Sequence, residues 1–234
     1  MIRASQSIDQ RSLGTQSADL TLGGVEYSFD TAQRVVGPLD LTIAAGERVA
    51  LVGRSGSGKS TLLQLMCGVL RPAKGSIRLG DIEMSRLDQD ERARLRLERF
   101  GIVFQFAELV PELTLAENVE LPLRILGTRR QRNHVDATLE RLGIAHLARQ
   151  LPSQVSGGER QRAALARAII HRPSIILADE PTGSLDEATG AVVLDLLLEC
   201  SREQGATLVV VTHDQAVAER LDRTIRLSDG VIAE

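Results

Sequence analysis

The sequence has no apolar run long enough to cross a lipid bilayer, which takes about 18–20 residues. Its apolar runs, such as SIILA and TLVVV, have the length of buried β-strands instead. The N-terminus also lacks the charged-then-apolar pattern that marks a secretory signal. We therefore expect neither a membrane-spanning segment nor a secretory signal in this chain.

Cysteine is scarce, and there is no excess of positive charge. The two cysteines, Cys67 and Cys200, are isolated and have no metal-site spacing, so we expect reduced thiols in a cytoplasmic protein. The 28 Lys and Arg residues are outnumbered by 31 Asp and Glu residues, which gives a net charge of −3. This charge balance gives no indication of a nucleic-acid partner.

The 234 residues suffice for one sizeable core, or for one domain that carries a smaller subdomain. Residues 1–19 are polar and rich in Ser and Gln, which predicts a loose N-terminal tail. The folded domain is expected over residues 20–232. Strand-like patterns dominate from Leu20 to Val52, and GSIRLGD predicts another short strand.

The middle of the chain has a different character. From Ser85 to Gln150 the apolar residues have helical spacing, with Pro111, Pro122 and Gly143 as expected breaks. We interpret this region as a helical insert, approximately residues 85–160, in an α/β domain. Beyond it, SIILADE and TLVVVTH flank an amphipathic helix and predict a βαβ unit, and TIRLSDGVIAE predicts a terminal hairpin.

A phosphate-binding loop is predicted at GRSGSGKST, where Gly-x4-Gly-Lys-Ser follows a β run and opens a helix. Glycines let the backbone wrap so that its N–H groups point at phosphates. Lys59 adds a mobile positive charge for the β- and γ-phosphates, and the Ser60 hydroxyl is suited to hold Mg²⁺. We expect this loop to bind phosphate through Gly53, Ser55, Gly56, Gly58, Lys59, Ser60 and Thr61.

Two carboxylates stand together at the end of the buried run SIILADE. Asp179 suits the Mg²⁺ role that a phosphate-loop enzyme requires. Glu180 is then positioned to act on an attacking water, either as general base or as the group that orients it. A helix cap or a solvated turn is the alternative explanation of such a pair.

A second anion site is predicted at VSGGERQRAALARA, where a Ser and two glycines open a helix. Free backbone N–H groups and the positive end of the helix dipole favour anions there. Ser156 and Glu159 also fit a capping box, and a capped helix can still present N–H groups. Two anion sites on one chain suit a dimer with two shared sites.

Six motifs occur in the order found in ATP-binding-cassette ATPases. They resemble the Walker A, Q-loop, signature, Walker B, D-loop and H-loop of that family, and the resemblance extends from Leu20 to about Ile232. They are GRSGSGKST, Gln105 in VFQ, VSGGERQR, ILADEP, GSLD and VTHD. One departure is Val155, where the signature usually begins with Leu. The resemblance implies an α/β phosphate-loop NTPase core with a mixed sheet, an N-terminal antiparallel β-subdomain and an inserted α-helical subdomain.

The resemblance also implies the activity and the remaining site residues. It implies hydrolysis of ATP with Mg²⁺ by a homodimer, in which Ser156, Gly157 and Gly158 of one cassette grip the nucleotide that lies on Lys59 of the other. Gln105 would sense both Mg²⁺ and the attacking water. Ser60 and Asp179 would be the other two residues at the metal. His213 would contact the γ-phosphate and hold Glu180 in register, although a histidine after a buried strand is otherwise often a core residue. Asp186 would reach across the dimer interface.

Phe29 aligns best with the aromatic residue that stacks on adenine in this family, and Tyr27 is the alternative. Strand alternation would place both side chains on the same face, which leaves the choice open. Ordinary core packing is a further explanation for either ring.

The sequence resembles one branch of bacterial cassettes, which includes lipoprotein-releasing, macrolide-exporting and cell-division cassettes. It implies a polytopic membrane partner with a large extracytoplasmic domain and a location at the cytoplasmic face of the membrane. Transport and mechanical control of an extracytoplasmic process without cargo both remain open. The membrane partner is expected to contact the region after Gln105, where plain packing of the insert is the alternative; the candidate contacts are Glu112, Leu113, Leu115, Glu117 and Asn118.

Overall fold

The computed structural model describes residues 17–29, 34–128 and 132–233. Among them, no helix combines the length and the apolar character that crossing a membrane would require. This finding agrees with the short apolar runs of the sequence.

The predicted N-terminal tail lies outside the described residues up to position 16. At its end, the Ala18 carbonyl accepts a hydrogen bond from Thr207 Oγ1 at 3.1 Å. The Asp19 carbonyl accepts one from the Gly80 amide at 2.9 Å. The last residues before the first strand are therefore attached to the fold rather than loose.

The first part of the chain forms an antiparallel sheet of four strands in the order β2-β1-β4-β5. Its alternating residues are buried on one face, as the period-2 pattern predicts. The strands are β1 (Leu20–Ser28), β2 (Arg34–Ile43), β4 (Lys74–Leu79) and β5 (Ile82–Glu83).

The second sheet has six strands in the order β10-β9-β3-β8-β7-β6. Neighbours from β9 to β6 run parallel, and only the terminal hairpin strand pairs antiparallel to its neighbour. The strands are β3 (Arg48–Val52), β6 (Phe100–Val103), β7 (Ile175–Asp179), β8 (Thr207–Thr212), β9 (Arg223–Ser228) and β10 (Val231–Ala233).

Seven α-helices accompany the sheets in the described part of the chain. Three of them, α2, α3 and α5, begin at a complete capping box, in which the N-cap side chain and the N3 glutamate satisfy each other's free backbone N–H groups. The helices are α1 (Lys59–Met66), α2 (Gln89–Arg99), α3 (Leu115–Ile125), α4 (Arg132–Arg141), α5 (Gly157–Ile169), α6 (Glu187–Gln204) and α7 (Gln215–Ala218).

The predicted helical insert, residues 85–160, differs from the structure near its start. Strand β6 lies within that range and pairs in parallel with β7 in the six-stranded sheet. Helix α2 packs its buried Leu95 into the core that lies between the two sheets. The prediction missed β6 because a four-residue apolar run between charged and polar segments does not distinguish strand from helix.

Pro122 was an expected break, yet it lies inside α3. Proline removes one helical hydrogen bond, but the helix buries Leu115, Val119 and Leu123 on one face, and this packing sustains it. Gly143 does follow the end of α4, with a left-handed φ of 69°. The βαβ unit of β7, α6 and β8 and the hairpin turned at Asp229-Gly230 are confirmed.

Two apolar cores flank the parallel sheet. The first includes Leu62, Met66 and Leu51 and joins α1 to both sheets. The second is built from α3, α4, α5 and α6 against the other face, with Leu165 and Val210 at its centre. Both cysteines are free and buried, and burial raises the pKa of the Cys200 thiol to about 11.

Candidate functional site

Four loops meet at one edge of the parallel sheet, where β3, β6, β7 and β8 reach their carboxyl ends. Ligands of open α/β sheets bind at this edge because the loops diverge there and leave a crevice. Gln105 follows β6, Asp179 ends β7 with Glu180 next to it, and His213 follows β8. The loop GRSGSGKST connects β3 to α1 at the same edge.

The phosphate loop depends on glycine at specific positions. A side chain at Gly53 would come within 2.3 Å of the Leu227 carbonyl oxygen on β9. Gly58 caps α1 with a φ of 97°, a conformation that L-residues rarely adopt. The loop therefore wraps closely against the sheet and leaves the first N–H groups of α1 without helical partners.

Lys59 and Ser60 open α1 beside Asp179. The Lys59 ammonium donates to the Gly53 and Arg54 carbonyls at 2.8 and 2.9 Å, and its third N–H remains for a ligand oxygen. Ser60 and Asp179 lie together in the wall of the same cavity. Burial raises the pKa of Asp179, and the Ser60 side chain beside it opposes this effect.

Glu180 and His213 form a direct pair. His213 Nδ1 lies 2.8 Å from Glu180 Oε1 and 2.9 Å from Oε2, so the carboxylate accepts from an Nδ1–H. The hydrogen bond to Glu180 and the carboxylate charge raise the pKa of His213. The His213 side chain is 73% exposed, which excludes the alternative of a core histidine. Glu180 itself has a left-handed φ of 47°, a strained conformation of the kind that clusters at functional sites.

These side chains line a single cavity of about 740 Å³, a size suited to a nucleotide. Eleven residues predicted from the sequence lie in its wall, joined there by Val35, Arg54 and Val211. The eleven are Gly53, Ser55, Gly56, Gly58, Lys59, Ser60, Thr61, Gln105, Asp179, Glu180 and His213.

Other predicted residues lie in the described structure but outside the wall of this cavity. Ser156 caps α5, with Glu159 N 3.3 Å from its Oγ, so the predicted capping box is confirmed. Gly157 and Gly158 form the first turn of that helix, and a side chain at Gly158 would come within 2.3 Å of Thr189 Cγ2 on α6. Within one chain, the second anion site therefore does not complete the first.

Asp186 caps α6, where its Oδ1 accepts from the Thr189 amide at 3.0 Å. This hydrogen bond holds the pKa of Asp186 below its usual value. The residue also lines a neighbouring cavity of about 520 Å³ that extends from Glu180 and His213. Its side chain thus has a structural role within its own chain.

Phe29 follows β1 and is 67% exposed, in edge-to-face contact with Tyr27 at a centroid distance of 5.1 Å. Tyr27 packs against the first core. The two rings do lie together, as strand alternation suggests, but neither is part of the cavity wall formed by the described residues. Phe29 is thus the exposed ring of the two, whereas Tyr27 is held by core packing.

Two of the expected membrane-partner contacts are wrong. Leu115 and Asn118 are fully buried, and the Asn118 amide binds the backbone of Val110, Leu113 and Thr114. Phe106, directly after Gln105, is a large apolar residue that is 72% exposed.

The donor atoms suit Mg²⁺ rather than a softer metal. The described residues contain no cluster of three His, Cys, Asp or Glu ligands. They do bring the Ser60 hydroxyl and the Asp179 carboxylate together in the cavity wall, with Gln105 in the same wall. Mg²⁺ prefers such oxygen ligands and completes its shell with phosphates and water.

Comparison with known proteins decides the family. The family model described as ABC transporter matches residues 36–183. The chain belongs to the ABC transporter family. It is an ATPase of that family.

Two curated relatives illustrate the similarity. The lipoprotein-releasing system ATP-binding protein LolD of Legionella pneumophila (strain Lens) is 46% identical over 194 residues, covering 82% of this chain and 86% of the relative. The protein of the same name from Hydrogenovibrio crunogenus is 47% identical over 198 residues, covering 84% and 86%. The resemblance to the lipoprotein-releasing branch is thereby confirmed.

A solved ABC cassette shares the fold. The ATP-binding cassette MJ0796, in a dimeric post-hydrolysis state bound to ADP and Pi, superimposes with a TM-score of 0.84 at 38% identity. The match covers 92% of this chain and 97% of the solved one. The predicted α/β phosphate-loop fold is therefore confirmed.

Proposed function

We propose that this chain is the ATP-hydrolysing subunit of a bacterial lipoprotein-releasing transporter and works as a homodimer around two shared MgATP. The observation that carries the dimer is the separation of the two anion sites. Ser156, at the start of α5, lies outside the cavity that contains Lys59, so a second copy is needed to bring the two together. The dimeric state of the similar cassette MJ0796 supports the same arrangement.

The geometry suggests how the chain cleaves ATP. Lys59 and the loop N–H groups bind the phosphates, and Ser60 and Asp179 would hold Mg²⁺, which neutralises phosphate charge. Glu180 accepts a proton from the attacking water, since its carboxylate has lone pairs beyond those used by His213. Because Glu180 raises the pKa of His213, more imidazolium is present, and its Nε2–H can donate to a γ-phosphate oxygen.

The proposed role of Glu180 as the general base is tested by the Glu180→Gln variant. We expect this variant to bind ATP like the parent, to lose nearly all turnover, and to accumulate as an ATP-bound dimer visible by light scattering. Glutamine is isosteric but does not accept the proton, so binding and chemistry separate. Turnover at the parental rate would rule out Glu180 as the base.

The proposals for the membrane partner and the substrate are based on the relatives and on one exposed surface. Relatives at about 46% identity are ATP-binding proteins of lipoprotein-releasing systems. Phe106 and Glu112 are exposed after Gln105, and we propose that they contact a polytopic membrane subunit that also has a large extracytoplasmic domain. Such contact would hold the chain at the cytoplasmic face of the membrane.

This part is tested by purifying tagged Glu180→Gln protein from gently extracted membranes of its own host with MgATP. Co-purification of a polytopic subunit, lost in a Phe106→Ala version, supports the proposal. Depletion of the chain should then leave lipoproteins behind in the membrane from which the transporter releases them. Normal lipoprotein release after depletion would exclude the proposed substrate, and recovery of soluble proteins alone would exclude the membrane partner.

A further inference from the structure

The segment that follows β6, residues 104–108, is here called the glutamine loop because it carries Gln105. Four of its five carbonyl groups accept hydrogen bonds from side chains elsewhere in the chain. Gln161 Nε2 donates to Phe104 O at 2.8 Å, and Ser184 Oγ donates to Gln105 O at 2.9 Å. The loop is thus bound by α5 and by the segment before α6 rather than by backbone pairing alone.

Arg167 donates two of these four hydrogen bonds. Its Nη2 donates to Ala107 O at 2.9 Å and its Nη1 donates to Glu108 O at 2.8 Å. The planar guanidinium presents its N–H groups in a fixed fork, so the two carbonyls are held at a set spacing. One side chain on α5 therefore fixes two successive peptide groups.

Those two residues need to be held. Ala107 and Glu108 have φ angles of 63° and 46°, so two consecutive L-residues occupy the left-handed region. Such a conformation is strained for residues other than glycine and persists only where surrounding contacts enforce it. This turn begins two residues after Gln105, which lines the cavity at the edge of the sheet, so its geometry bears on where Gln105 lies.

We propose that Arg167 is a positioning residue for ATP hydrolysis, which clamps the glutamine loop and ties the position of Gln105 to helix α5. The proposal rests on the role of Gln105 in the function proposed above. Ser156 caps helix α5 at the end that would meet the partner's nucleotide, and Arg167 lies about 15 Å along the same helix. The clamp thus connects the partner's ATP to the water-activating end of this chain's own site.

The test is a double-mutant cycle in steady-state ATP hydrolysis by the full chain. We expect Arg167→Gln to lower kcat about tenfold, equivalent to about 1.4 kcal/mol, with KM within about twofold of the parent because the phosphate loop is untouched. In a Gln105→Ala background, Arg167→Gln should add less than about a twofold further loss, since both changes act through one group. Arg167→Lys should recover part of kcat, and exposed Arg149→Gln is the matched control.

Each outcome has a defined meaning. A low kcat in Gln105→Ala with an additive effect of Arg167→Gln overturns the positioning role and leaves the proposed function standing. Parental kcat in Gln105→Ala removes Gln105 from the proposed function and the Arg167 assignment with it. A rise in KM as large as the fall in kcat would show a general structural defect and also refute the proposal.

Thermal unfolding would reveal whether Arg167→Gln is folded, and a second variant keeps the proposal testable if it is not. If Arg167→Gln does not fold, Ser184→Ala carries the same cycle, because Ser184 is exposed and its hydroxyl binds the loop at Gln105 O. We expect a smaller fall in kcat, about threefold, that disappears in the Gln105→Ala background. An undiminished fall in that background would count against the clamp.

Discussion

The stability of the folded chain at acid pH depends on His171, a buried histidine just after the end of α5. The residue is only 9% exposed, its Nε2 donates to Phe100 O at 3.1 Å, and its Nδ1 is buried without a partner. Burial lowers the pKa of His171 from 6.5 to about 4. Among the described residues, no hydrogen-bond partner lies at Nδ1, so a second proton on this ring would be buried without an acceptor.

The sign and size of the effect follow from linkage. Between pH 6.5 and about 4 the unfolded chain binds a proton at this histidine that the folded chain does not, so stability falls as the pH falls through that window. The full difference is about 3 kcal/mol. Going from about pH 7 to about pH 5 should remove about 2 kcal/mol of it.

The assay is urea unfolding of the parent and of His171→Gln at the two pH values. Glutamine keeps an N–H for Phe100 O but does not titrate, so the parent should lose about 2 kcal/mol more than the variant on acidification. Comparison with the variant cancels the carboxylates, which titrate in both proteins. His146→Gln, which removes an exposed histidine, is the matched control. Equal acid sensitivity of the parent and His171→Gln would refute the reasoning.

Three further predictions concern the nucleotide. Lys59→Ala should weaken ATP binding about 10–100-fold by equilibrium titration, because a charged hydrogen bond to phosphate is lost; unchanged affinity would exclude the phosphate-loop role. Ser156→Arg should leave ATP binding to the monomer intact yet prevent the ATP-bound dimer of Glu180→Gln in light scattering, and normal dimer formation would argue against shared sites. Phe29→Ala should lower ATP affinity about tenfold through lost stacking, with Phe29→Tyr as the control, and parental affinity would remove Phe29 from the site.

Much of the site could be predicted because its residues occur in short motifs with local physical causes. The spacing of Gly53, Gly58 and Lys59 requires a wrapped loop at a helix start, and Ser156 with Glu159 requires a capped one. The βαβ unit and the terminal hairpin follow from apolar runs and turn residues. In each case the signal lies within a few residues of the feature that it predicts.

The wrong predictions concern features whose cause lies far away in the chain. Strand β6 was missed because only its pairing with β7 distinguishes FGIV from part of a helix. The sequence predicts surface contacts at Leu115 and Asn118, but α3 turns that face into the second core. It also predicts a break at Pro122, but tertiary packing keeps α3 continuous. Burial of a helix face depends on what packs against it, and that information is distant in the chain.

The sequence by itself determined the phosphate loop, the caps, the strands with long apolar runs and the family, because each is written in neighbouring residues. Only the tertiary structure decided that His213 touches Glu180, that Ser156 lies apart from Lys59, and that Arg167 holds the loop after Gln105. The physical reason is that parallel strands bring distant segments to one edge of a sheet. The contacts across that edge depend on strand order and helix packing, which no local pattern of residues specifies.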